Sequence, residues 1–481
     1  MSKNHHSKQV ARSGAVYTIA LVFQKILSFA YFSVFARALG PEALGAYIFA
    51  LSFSALFSLI ADFGIVSLAI RTFSQNPEKQ KEYFPTFFTL RMGLAVISLV
   101  ALHGSALIVG YPAELRILLA ITSVIMVMDA FTAYFYTVFR AQQNLFYEAL
   151  GTVFSQITIF GLGLFAIAKT NNLKVLLAVI ACGSLFHVIF SSLLIRRKTK
   201  LTVRLNLNWP LMREWIVRAL PFFMAAGFIK AYNTIDSILI KNLINDEAVG
   251  LYAIPAKIVF TFPFMALAVT AAVYPAMASY AVESKERLAS IFSRTLQLLL
   301  TISLPISVGI YFLAEPIMMR VWPDFSASIP ALKILIWAVV FLYIEFPFGS
   351  LLNATGNERR NTINRGIQLI VFVSLNLMLI PTYGFMGAVY AALFCSMLIV
   401  FLGWLKARTI VPVFTWRIVG SITKIIVASG IMGFVVYYFR EEYSFLIVIP
   451  VAAVIYGMLL LLFRAYTAED WRWIKGVMRV Q

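Results

Sequence analysis

YTIALVFQKILSFAYFSVFA, residues 17–36, is long enough to cross a bilayer and carries one charge, Lys25, near its middle. About 20 consecutive apolar residues span the ~30 Å hydrocarbon core as a helix. An ammonium group at that depth costs from ~2.5 to more than 10 kcal/mol depending on the reference system, so it has either a partner or a job. Lys25 lies 12 residues past Ser13, about 18 Å at 1.5 Å per residue, where snorkelling to either interface would be strained. The stretch therefore poses two questions: how many such segments follow, and where their charges go.

Apolar stretches recur along the whole chain of 481 residues, which is 61% hydrophobic and 13% charged. Its mean hydropathy is +0.86. A soluble domain averages roughly 45–50% apolar and about 25% charged residues. The expected fold class is thus an all-α polytopic membrane protein with about 14 transmembrane helices. The expected spans are 13–38, 44–69, 84–109, 116–139, 148–168, 174–195, 214–240, 250–276, 288–313, 331–354, 362–381, 385–406, 417–438 and 444–464.

The net charge of +19 invites a nucleic-acid reading, but 28 of the 40 Lys and Arg fall in the N-terminus and every second connection, against eight in the others. Such alternation sets membrane orientation and argues against a nucleic-acid partner. It places both termini in the cytoplasm. Cys182 and Cys395 both lie in apolar segments and imply no disulfide framework. The basic N-terminus precedes a full-length span without a small-residue cleavage site, so span 1 is expected to be retained.

The chain resembles itself. EALGAY (Glu42 to Tyr47) after span 1 returns as EAVGLY (Glu247 to Tyr252) after span 7, and the same offset carries Lys25 onto Lys230. RAQQN (Arg140 to Asn144) likewise matches NATGN (Asn353 to Asn357). Two six-helix lobes in parallel repeat follow, related by an axis along the membrane normal, plus two C-terminal helices. The expected organisation is an N-lobe at 1–198, a basic linker at 199–213, a C-lobe at 214–408, and helices 13 and 14 with a tail at 409–481. A duplication of this kind places a substrate path between lobes that rock against each other.

The charges inside spans name candidate residues. Thr18, Lys25 and Ser28 share a face of span 1, while Lys230, Thr234, Ser237 and Lys241 read as one continuous stripe on span 7. Lys257 follows in span 8, with Thr261 one turn on. Each Lys is either neutralised by an acid, with Asp129, Asp236, Glu345 and Asp62 at hand, or part of a cationic cavity that receives an anion. As a set, the cavity reading is favoured, since lysine meets phosphate as a compact point charge. Asp62 and Arg91 are candidates for a gate. His103 and His187 are expected to be packed core residues. Trp209, Trp215, Trp322, Trp416, Trp471 and Trp473 read as interfacial anchors. Pro263, Pro275, Pro305 and Pro347 could hinge or merely kink their helices. The longest outer loop is expected near 314–330. No phosphate loop, metal-ligand cluster or nucleophile motif is present, so no enzyme, metal or cofactor is expected.

LGPEALGAY, ADFGI, DSILIKNLINDEAVGLYAIPAKI, NATGN and IPTYGFMGAVYAA, in this order on fourteen spans, resemble the Wzx-type polysaccharide-biosynthesis flippases of the multidrug/oligosaccharidyl-lipid/polysaccharide exporter (MOP) superfamily. The resemblance covers residues 13 to about 464. It implies a transporter that moves a polyprenyl-diphosphate-linked oligosaccharide, such as an O-antigen repeat unit, across the plasma (inner) membrane by alternating access. By position it implies that Lys25, Lys230 and Lys257 meet the diphosphate and that helices 13 and 14 line a groove for the polyprenyl tail. If Na⁺ or H⁺ couples the movement, Asp129, Asp236 and Glu345 are the candidate sites. The expected partners are the lipid-linked oligosaccharide, the bilayer and glycan-assembly proteins, with the flippase itself a monomer. Rival readings are a drug/cation antiporter of the same superfamily, a membrane-embedded glycan polymerase or ligase, and a scaffold for glycan assembly.

Overall fold

A chain in hydrocarbon must satisfy its backbone hydrogen bonds internally, and a run of apolar residues does so most directly as helix. The computed structural model describes residues 2–170, 172–199, 201–413, 416–467, 470 and 472, with side chains from residue 17 onward except that of Arg417. Trp471 and Trp473 lie outside the described residues, and so do the side chains of the N-terminal basic cluster. Among the described residues the structure is helical and without strands. The α-helices are α1 (Ser2–Asp62), α2 (Ile65–Gln75), α3 (Gln80–Ile108), α4 (Ala113–Ala141), α5 (Phe146–Lys169), α6 (Leu173–Lys198), α7 (Trp209–Tyr232), α8 (Ile235–Leu243), α9 (Asp246–Val259), α10 (Pro263–Glu283), α11 (Lys285–Val321), α12 (Ile329–Leu335), α13 (Ala338–Ala354), α14 (Glu358–Tyr383), α15 (Phe385–Ala407), α16 (Trp416–Phe439) and α17 (Phe445–Leu462).

Among the described residues twelve helical stretches are long and apolar enough to cross a membrane, and the pair Pro323–Leu335 and Ala338–Ala354, bent by 42°, makes thirteen. One of them, Tyr17–Gln75, has 59 residues, which would reach about 88 Å if straight. It folds back at Gly40, whose φ of 73° and ψ of 177° are non-helical, with Pro41 opening the next helix. Phe35 and Tyr47, 12 residues apart, bring their rings to 4.5 Å, which only a hairpin allows. Counted as two spans, it takes thirteen to the expected fourteen. The expected outer loop near 314–330 is instead mostly helix, because α11 runs on to Val321 and a 3₁₀ turn covers Pro323–Ser328.

Among the described residues four spans are broken inside the apolar region, the first at a left-handed glycine and the other three around polar caps. The first falls at Phe63 and Gly64, with φ of 43° and 73°. The second separates α7 from α8 at Asn233 and Thr234, and Thr234 Oγ1 donates to the freed Lys230 carbonyl at 2.8 Å. The third separates α9 from α10; there Thr261 Oγ1 donates to Lys257 O at 2.6 Å and Tyr343 Oη to Phe262 O at 2.8 Å. At the fourth, between α12 and α13, Ser307 Oγ donates to Ile336 O at 3.1 Å. The stripe Lys230–Thr234–Ser237–Lys241 is therefore not continuous. Thr234 is spent capping the turn before it, so the residues on either side no longer share one helical face.

Contacts divide the chain into two compact units, Met1–Asn242 and Leu243–Gln481. The core of the first joins α2, α3, α4 and α7 through Phe73, Phe84, Phe87, Tyr134 and Trp215. Trp215 is 2% exposed and stacks on Phe87 at 3.6 Å, so it is a core residue and not an interfacial anchor. Trp322, also 2% exposed, is likewise buried rather than interfacial. In the second unit α16 and α17 pack on α11 through Leu313, Met432 and Tyr456. The approach is close at Gly433, where a Cβ would come within 2.4 Å of Val308.

Gly64 illustrates how tightly a break is held. A Cβ there would lie 2.7 Å from Ala219 O and 2.8 Å from Phe223 N, and the positive φ itself disfavours any L side chain. Gly64→Ala should cost about 1–3 kcal/mol of stability and loosen α7, read as a lower unfolding temperature in detergent. Gly161→Ala, where nothing lies within 4 Å, is the matched substitution expected to leave that temperature unchanged.

Candidate functional site

The breaks decide where charge can sit. A helix C-terminus presents unpaired carbonyls that favour cations, and an N-terminus favours anions. Lys230 and Lys257 each occupy the last turn before a break, and Asp236 the first turn after one. Asp236 Oδ1 accepts from the Ser237 backbone N–H at 2.7 Å.

Within the first unit, Asp62, Arg91, Asp129 and Lys230 line one cavity of about 470 Å³. Arg91 Nη1 donates to Asp62 Oδ1 at 2.9 Å, with Arg91 only 1% exposed and Asp62 35%. The two candidate gate residues, on separate helices, are thus an ion pair. Lys230 shares the cavity wall with both carboxylates, Asp62 and Asp129. Asp129 is exposed to the cavity it lines. Ser54 and Thr122, hydrogen-bonded to each other at 2.6 Å, and Ser58 add hydroxyls to the wall. The sequence reading passed over these three because Ser and Thr inside a span are common and carry no charge. The cavity is not of one sign: two acids face two bases.

The other candidates lie elsewhere. Lys25 and Thr18 are exposed and Ser28 half-buried on α1, outside the lining of this cavity. Thr234 and Ser237 are buried at the α7–α8 break. Lys257 is half-buried on α9 in the second unit. Glu345 is buried on α13 and makes an ion pair with Arg365 of α14. That partner was not foreseen, since Arg365 counts by sequence among the basic loop residues. His103 Nε2 lies 3.2 Å from Ser123 Oγ, the hydrogen-bonded core position expected of it.

Two further features were missed. At the α4–α5 turn Arg140 makes two hydrogen bonds to Glu148, Nε–Oε2 at 2.8 Å and Nη2–Oε1 at 2.5 Å, while Tyr17 Oη donates to Oε1 at 3.0 Å. In the repeat the corresponding positions are Asn353 and Asn361, and these too are hydrogen-bonded, at 3.0 Å. An amide pair therefore replaces the ion pair in the second copy of the motif. The second unit also holds an apolar groove of about 810 Å³ between α11, α13, α15 and α16, lined by aliphatic and aromatic side chains such as Leu300, Phe341, Phe394, Trp404, Ile422 and Ile426. Of the two C-terminal helices, α16 contributes to it and α17 does not.

The sequence model of the polysaccharide biosynthesis protein family matches residues 10–281, and that of the MatE family matches residues 221–381. A search of curated protein sequences found no match. Among solved structures, the lipid II flippase MurJ in an inward closed conformation superposes with a TM-score of 0.76 at 19% identity, covering 94% of this chain and 99% of that one. An inward-facing multidrug resistance MATE family transporter of the MOP superfamily superposes with a TM-score of 0.65 at 15% identity, covering 82% and 97%. A MOP superfamily transporter from Pyrococcus furiosus, described as having a binding pocket of reverse polarity, gives 0.56 at 15% identity, covering 84% and 96%. The chain belongs to the polysaccharide biosynthesis protein family. Its fold is shared with the lipid II flippase MurJ and with MATE family transporters of the MOP superfamily.

The Asp62–Arg91 pair makes a sharp test of this geometry. Arg91→Ala leaves Asp62 without its partner beside a second acid and should cost roughly 1–3 kcal/mol, less than the 3–5 of a fully buried pair because Asp62 is partly exposed. Adding Asp62→Asn should recover more than half of that loss, measured as unfolding temperature in a double-mutant cycle.

Proposed function

We propose that this protein is a flippase moving a polyprenyl-diphosphate-linked oligosaccharide from the cytoplasmic to the outer leaflet. The observation that carries the reading is the polar cavity holding Lys230 and Arg91 inside an otherwise apolar bundle. A sugar diphosphate cannot cross hydrocarbon bare, because every unsatisfied polar group there costs several kcal/mol. Lys230 offers a compact charge to the diphosphate, while Ser54, Ser58 and Thr122 offer hydroxyls to the sugar. The apolar groove of the second unit suits a polyprenyl tail, and Ile422 and Ile426 give α16 a share in holding it. Membership of a family described by polysaccharide biosynthesis and the fold shared with a lipid II flippase support the same substrate class.

In this proposal the lobes 1–198 and 214–408 rock to expose the cavity to each side in turn, in the plasma (inner) membrane with both termini cytoplasmic, and the working unit is a monomer. Entry of the diphosphate draws Arg91 and Lys230 away from Asp62 and Asp129, so the Asp62–Arg91 pair acts as a gate that opens as substrate binds. The freed acids, with Asp236, are then the places for a coupling Na⁺ or H⁺. Lys25, Lys257 and the hydroxyls of Thr18, Ser28, Thr234 and Ser237 complete the proposed path. The cytoplasm is electrically negative, so an outward-moving diphosphate with about two charges gains up to roughly 5 kcal/mol per 100 mV. The two carboxylates in the cavity favour one second reading, export of an organic cation, in line with the MatE match.

The test is transbilayer movement of defined polyprenyl-diphosphate sugars in liposomes containing the purified protein. Lys230→Ala should slow it at least about tenfold, equivalent to roughly 1.4 kcal/mol, with membrane insertion intact. Ile426→Asp should block the lipid-linked substrate while sparing binding of a soluble sugar diphosphate. Wild-type vesicles that move no such lipid, yet export a cationic dye in a manner lost in Asp129→Asn, would replace this function with the cation reading.

A further inference from the structure

Residues 201–208 lead from the end of α6 into α7 without regular secondary structure, and the segment changes character along its length: Leu201 and Val203 pack into the core beside α2, α3 and α4, whereas its second half does not. Asn206 points inward and is pinned to α3: its backbone N–H donates to Thr89 Oγ1 at 2.8 Å and its amide to Thr86 Oγ1 at 3.0 Å. Leu205, Leu207 and Trp209 around it are 67%, 82% and 68% exposed. The two hydrogen bonds hold Asn206 against α3, so the presentation of these apolar side chains beside it is part of the fold.

Charge surrounds the same edge. Arg196, Arg197 and Lys198, at the end of α6, and Arg204 within the segment are all exposed. The segment runs directly between the ends of two spanning helices, so it lies level with a bilayer surface. Apolar side chains beneath a basic rim suit the boundary between headgroups and acyl chains, and basic residues there attract anionic lipid. We infer that residues 204–209 form an interfacial anchor whose ligand is the anionic phospholipid surface, with Leu205, Leu207 and Trp209 in the acyl boundary and the basic side chains on the lipid phosphates. Because Asn206 holds α3, which carries Arg91, and Trp209 opens α7, which carries Lys230, the anchor fixes to the membrane surface the two helices that bear the cations of the cavity.

The full chain tests this in vesicles. Cys182→Ala and Cys395→Ala clear the background, and Leu207→Cys takes a nitroxide label, with Leu205→Cys as the second site if the first variant does not fold. In phosphatidylcholine vesicles containing phosphatidylglycerol, the label should be relaxed by oxygen and shielded from a water-soluble nickel chelate, at a depth of about 5–10 Å. In phosphatidylcholine alone it should sit shallower, and replacing Arg196, Arg197, Lys198 and Arg204 together by Gln should abolish the difference. A label fully open to the nickel chelate in both vesicles would overturn the anchor and leave the face to a soluble protein. Equal depth in both would overturn the anionic headgroup as its ligand.

Discussion

A backbone carbonyl freed inside hydrocarbon must find a donor, and this requirement shapes the structure more than any other. Four spans are interrupted in the apolar region, and hydroxyls from Thr234, Thr261, Tyr343 and Ser307 take up the carbonyls that three of the breaks release. The first break is held differently, by a left-handed Gly64 against the backbone of α7. An uninterrupted helix would offer no terminal dipole at depth. Broken ones do, and Lys230, Lys257 and Asp236 sit where those dipoles match their charge.

Charge pairing is the second organising force. In the described part of the first unit several charges stand in groups: Asp62 with Arg91, Lys230 in one cavity with Asp62 and Asp129, and Glu148 gripped by Arg140 and Tyr17. Balance lets a polar cavity persist in an apolar bundle, because an uncompensated buried charge is far costlier than a paired one. Balance also means that any charged group entering this cavity would displace one set of contacts to make another.

The repeat shows what duplication preserves. Arg140–Glu148 and Asn353–Asn361 bridge equivalent turns with different chemistry. Both copies bridge the turn with a side-chain hydrogen bond, and in the ionic version Tyr17 adds a third group to it. The second unit has an ion pair at another place, between Glu345 and Arg365, and its groove is lined by apolar side chains.

The sequence by itself determined the all-helical membrane class and the fourteen spans, because length and hydropathy in a bilayer leave few alternatives. It also exposed the charged residues that need explaining, since each is an exception to its surroundings. Tertiary structure alone decided which charges meet. Asp62 and Arg91 are linked by no periodicity, Arg365 reads as a loop residue until α14 carries it to Glu345, and the Lys230 stripe is severed by a break that hydropathy does not register. Trp215 and Trp322 show the same limit: composition places Trp near helix ends, but only packing distinguishes a ring in the core from one at the interface. Pairing between separate helices depends on their relative rotation and depth, quantities fixed by packing and invisible in local pattern.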